Sequence, residues 1–112
     1  MVQSIKKKFA ADESIVATWK PNGGLLTSIH VLFNTKPTSD DKIHIDVKAE
    51  DPAYNLRIDD QNPAGNAKTT HIQFILDQPF VIGLKEWVEI TYDNPDNREV
   101  AVIIKGHDSS TF

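Results

Sequence analysis

The stretch "EITYDNPDNREVAVIIKG", residues 89 to 106, sets two extended runs on either side of a polar centre. In the first run Ile90 and Tyr92 alternate with Glu89 and Thr91; in the second Val100, Val102 and Ile104 alternate with their neighbours. Alternation with a period of two marks strands with one face buried and one wet. Between the runs, Asp93, Asn94, Asp96 and Asn97 carry enough side-chain oxygen to raise the question of calcium. Calcium takes about six to eight oxygens, and an EF-hand loop supplies them at fixed positions around a central glycine. This segment has neither that spacing nor that glycine, and Pro95 stiffens it. Asn and Asp accept hydrogen bonds from nearby amides and tolerate left-handed φ, and Pro presets φ near about −65°. The segment therefore reads as a hairpin corner joining two core strands. Ser39-Asp40-Asp41 and Asp59-Asp60 read the same way, as turns rather than metal sites.

Working outward, the same periodicity recurs. "KIHIDVK" (42–48) alternates Ile43, Ile45 and Val47 with His44, Asp46 and Lys48, and "WVEITY" (87–92) sets Trp87 opposite Val88. "LLTSIHVLFN" (25–34) is apolar on both faces, as a central strand is. "SIVATW" (14–19) and "HIQFIL" (71–76) are short and rich in β-branched or aromatic residues. "SIKKKFA" (4–10), "AYNLRI" (53–58) and "FVIGL" (80–84) are weaker strand signals. Turn formers separate the runs: Pro21-Asn22-Gly23-Gly24, residues 37–41 and 59–67, Asp77-Gln78-Pro79 and Gly83. No segment keeps helical spacing, and no repeat or domain boundary is visible. About eight or nine strands at intervals of about 8–12 residues indicate an all-β protein. The expected architecture is a single antiparallel β-sandwich domain over 1–112, jelly-roll-like, with about eight strands.

Composition narrows the function. The chain has 112 residues, no cysteine and a formal net charge of −4. Disulfides, zinc–thiolate sites, iron–sulfur clusters and thiol nucleophiles are excluded, so the fold rests on packing and hydrogen bonds. The acidic balance argues against a nucleic-acid partner, which calls for a basic face. The basic run Lys6, Lys7, Lys8 reads as a solvated strand or an edge guard, because lysine blunts sheet edges. No apolar run reaches the ~18 residues of a membrane helix, so no membrane partner is expected. No apolar stretch of ~7–15 residues follows the N-terminal lysines, so no signal peptide is expected either.

Catalytic and ligand-binding readings find little. His30, His44, His71 and His107 show no short ligand spacing, and surface positions on wet strand faces are the expectation, although two can meet across a sheet. No serine sits in a nucleophile elbow, and Gly23-Gly24 lacks the frame of a phosphate loop. No catalytic residues, cofactor or metal are therefore expected, and the chain reads as non-enzymatic. Trp87 and Trp19 are the candidates for a sugar platform; the competing reading makes each a cap on the end of the core.

The ordered landmarks resemble a group of small β-sandwich proteins and modules of tailed bacteriophages. The pieces that carry the resemblance are the apolar strand Leu26 to Phe33, the corner Pro37-Thr38-Ser39, the strand Ile43 to Val47, and Ala53-Tyr54 with Leu56. Gln78 to Val81 and the segment from Gly83 through Arg98 complete it. The likeness spans residues 14 to 106 and consists of core and turn positions. It departs where relatives have Gly-Asp before the "V.I.Y" strand; here Lys85-Glu86 precede Trp87. The resemblance implies a virion structural component, a capsid decoration or cement protein, or a fibre or tail accessory. It would be made in the host cytoplasm and incorporated in the virion. The expected partners are copies of itself and the major capsid or other virion proteins, with a glycan as partner in the host-attachment alternative. Residues 1–11 and 106–112 would be flexible arms ordering on the particle, Phe112 being an apolar anchor on a polar tether.

Overall fold

The computed structural model describes residues 2–65 and 70–108, with the backbone traced throughout and the side chains of residues 2, 3 and 77 left undescribed. Eight strands form: β1 (Val2–Phe9), β2 (Ile15–Trp19), β3 (Gly24–Phe33), β4 (Ile43–Ala49), β5 (Leu56–Gln61), β6 (His71–Ile82), β7 (Glu86–Tyr92) and β8 (Val100–Asp108). They make two four-stranded sheets, ordered β1-β8-β3-β6 and β2-β7-β4-β5, with antiparallel pairing in both. Strand one pairs with eight, two with seven, three with six and four with five. That is a long antiparallel ribbon rolled up so that β3 meets β8 and β4 meets β7, which is the jelly-roll connection.

The alternating positions meet between the sheets. Leu26, Ile29, Val102 and Ile104 from one sheet and Ile43, Ile45, Val88 and Ile90 from the other are all at most 2% exposed. Fully burying one such side chain contributes about 1.5–3 kcal/mol. Phe33 and Tyr92 close one end edge to face, their ring centroids 5.8 Å apart. Trp19 is buried in the core, and its ring lies against the backbone of Gly106 on β8, where a Cβ would collide with it. Trp19 is therefore a core residue, which removes it as a sugar platform.

Several expectations change. The Asp93–Asn97 corner is a turn, but β7 and β8 belong to different sheets, so it is a crossover and not a hairpin. Residues 71–76 and 80–84 belong largely to one strand, β6, and Asp77-Gln78-Pro79 is a bulge within it: Leu26 pairs with Phe80 and Ser28 with Ile75. Pro is tolerated there because β6 is an edge strand. Residues 52–54 form a 3-10 turn whose first amides are capped by Asp51, so β5 starts only at Leu56. Residues 2–9, expected within an arm, pair along their length with β8, and 106–108 are the end of β8 itself. Phe112 lies outside the described residues.

Candidate interaction surface

The outer face of the β1-β8-β3-β6 sheet is set by register. Lys8, Ala101, Leu32 and His71 form one cross-strand row; Lys6, Ile103, His30 and Gln73 form the next. Ala101, Leu32, His71, Ile103, His30 and Gln73 alternate with core residues, and Lys6 and Lys8 share their rows, so all point away from the core. Leu32, Ala101 and Ile103 are half-buried, and Lys6, Lys8 and Lys105 are exposed. Three lysines thus border an apolar strip on a chain whose net charge is −4. At the end of this face an open groove of about 520 Å3 runs between Lys8 and Ala10, residues 32–34 and residues 99–101.

The two margins of the sheet differ. On β1, Lys7 shares the core side of the strand with Phe9, and its ammonium lies 5.0 Å from that ring. An inward-pointing charge on an edge strand discourages further pairing. On β6 the exposed outward apolar residues are Ile75 and Val81, each 67% exposed, and Leu84 follows at 68%. β6 is the longest strand, with 12 residues, and pairs on one side only.

The face also holds a histidine pair that the linear spacing does not reveal. His30 and His71 are diagonal neighbours on β3 and β6, with His30 Nδ1 2.9 Å from His71 Nε2. The Ser28 hydroxyl lies 3.4 Å from His30 Nε2. Burial, then His71, then Lys105 lower the pKa of His30, so the neutral imidazole is favoured. The other two histidines do not join them: His44 is on β4 in the opposite sheet, its Nδ1 buried with no hydrogen-bond partner, and His107 sits at the far end of β8.

The opposite outer face is self-neutralised. Arg57 meets Asp46 through two hydrogen bonds, of 2.8 and 3.3 Å, and this bond raises the pKa of Arg57. Asp46 is buried beneath it. Lys48 lies 3.6 Å from Glu89 and Lys42 3.8 Å from Asp60. Trp87 stands half-buried on this face, as the alternation requires, with the Lys20 ammonium 5.0 Å from its ring centroid.

The calcium candidates are occupied with holding loops together. Asn94, at φ 59°, is buried; its amide donates to the carbonyls of Glu13 and Arg98, and its Oδ1 accepts the Arg98 amide. The Asp96 carboxylate accepts the backbone amides of Thr38 and Ser39, both at 2.8 Å, and both hydroxyls. These bonds, led by the Ser39 hydroxyl, bring its pKa down to about 2. Asp40 accepts the Asn62 amide and Asp59 the amide of Asp60. Among the described residues no group of three or more His, Cys, Asp or Glu is placed to hold a metal ion, and no helix is long and apolar enough to cross a membrane. In comparisons with known proteins, no family model and no curated protein matches the chain.

Proposed function

We propose that the chain is a non-enzymatic structural subunit of a virus particle, a capsid decoration or cement protein of a tailed phage. The observation that carries this reading is the β6 margin, a long one-sided edge that leaves Ile75 and Val81 exposed beside the lysine-bordered face. On either side of the Asp77–Pro79 bulge such an edge offers backbone donors and acceptors to an added strand, and apolar side chains supply affinity. The lysines favour an acidic partner surface. Jelly rolls occur in viral capsid domains and also in lectins, so the fold supports the reading by analogy only.

Imaging purified particles with and without the chain tests it. Ordered density across the shell is the expected result; density only at a vertex or the tail reassigns the chain to an accessory, and absence from particles overturns the reading. Ile75→Glu is expected to weaken co-sedimentation with particles at least tenfold, and unchanged attachment would remove β6 from the interface. A second reading, a carbohydrate-binding module for host attachment, is favoured by Trp87 standing on the wet face. Reproducible glycan-array binding that disappears in Trp87→Ala would select it.

A further inference from the structure

We infer that His30 and His71 form a binding site for a divalent transition-metal ion with right-angle coordination, nickel(II) or copper(II), on the outer face of the β1-β8-β3-β6 sheet. The two imidazoles are hydrogen-bonded in the metal-free protein, and the same approach suits a right-angle pair of ligands. The facing nitrogens, His30 Nδ1 and His71 Nε2, are 2.9 Å apart. Two nitrogens bound at about 2.1 Å to one ion at a right angle lie about 3 Å apart, whereas a tetrahedral pair lies about 3.4 Å apart. Imidazole suits these ions, and square-planar or octahedral geometry is theirs rather than zinc's. The remaining positions are left to water, since no third side-chain ligand is at hand among the described residues.

The surroundings prepare the pair. Both residues ride on hydrogen-bonded strands of one sheet, so their separation is fixed by register. The Ser28 hydroxyl lies 3.4 Å from the far nitrogen of His30; in the tautomer with the proton there, Nδ1 keeps its lone pair toward His71. In the metal-free protein one proton lies between the two nitrogens. The ion takes its place, and His71 binds as the neutral imidazole with its proton on Nδ1. Gln73 and Ile103 flank His30 and carry no charge. Lys105, near enough to lower the proton affinity of His30, repels a dication and limits the affinity. The inference is independent of the virion reading.

Titration of the full chain, free of any affinity tag, with nickel(II) chloride at neutral pH tests the site. Paramagnetic broadening of proton signals is expected to centre on residues 28–32 and 71–73. His30→Ala and His71→Gln are each expected to weaken binding tenfold or more, with far-ultraviolet dichroism unchanged because both side chains lie outside the core. His44→Ala is expected to bind as the original chain does. Undiminished binding in His30→Ala and His71→Gln, equal loss in His44→Ala, or zinc binding tenfold tighter than nickel would overturn the assignment.

Discussion

Asp96 shows how one carboxylate ties down a whole end of the sandwich. It joins the β7–β8 crossover to the β3–β4 loop through Thr38 and Ser39, while Asn94 joins the same crossover to the β1–β2 loop. The folded pKa of Asp96, about 2, lies below its ordinary value of 3.8. Its contribution to stability is thus complete above about pH 4 and lost as pH falls toward 2. Asp96→Asn is expected to lower Tm by a few degrees at pH 7 and to flatten the acid limb of the Tm profile between pH 4 and 2; an unchanged limb would contradict this. The turn chemistry of Asp93–Asn97 was legible, since Asn94 and Asn97 adopt the left-handed φ that such residues tolerate. The partners were not, because Ser39 lies 57 positions away. The His30–His71 contact, across 41 positions, was hidden for the same reason: it needs the β3–β6 register, which no local pattern encodes.

Strands were legible where one face is dry. Val88, Ile90 and Tyr92 on β7 and Val100, Val102 and Ile104 on β8 are buried as the alternation requires. β3 illustrates the limit. Its apolar character on both faces arises partly from a bulge: Leu26 pairs with Gly106 and Ser28 with Lys105, leaving Thr27 extra. That residue switches the parity, so that Leu26 and Ile29 both point inward. The Thr27 hydroxyl donates to the Lys105 carbonyl and fixes the irregularity. Lys6, Lys7 and Lys8 lie on an edge strand, a position compatible with either reading of that run, solvated face or edge guard. Lys7→Ile would extend the apolar stripe of Ile5 and Phe9 along that edge. Sedimentation velocity is expected to show concentration-dependent association beyond that of the original chain; identical profiles would mean the lysine does not guard the strand.

At the scale of the molecule, two-layer architecture follows from many short half-buried strands, but the partition into sheets does not. Alternation says that a strand has a dry side and is silent on which layer it joins, which is why the β7–β8 crossover resembled a hairpin. The rolled ribbon also makes β1 part of the sandwich rather than an arm. Phe9 is buried against the core and pairs with Val100. Removing residues 2–9 is expected to abolish cooperative thermal unfolding, since it strips β8 of one neighbour and opens the core at Phe9. A sharp transition with Tm unchanged would show that β1 is dispensable.

The rolled ribbon has a consequence for the nascent chain. Because the outermost pairing joins the first strand to the last, β1 emerges from the ribosome without its partner and waits until residues 100–108 follow. Closure is therefore a late event in synthesis. In that interval the segment carries Lys6, Lys7 and Lys8, charges of the kind that oppose strand addition.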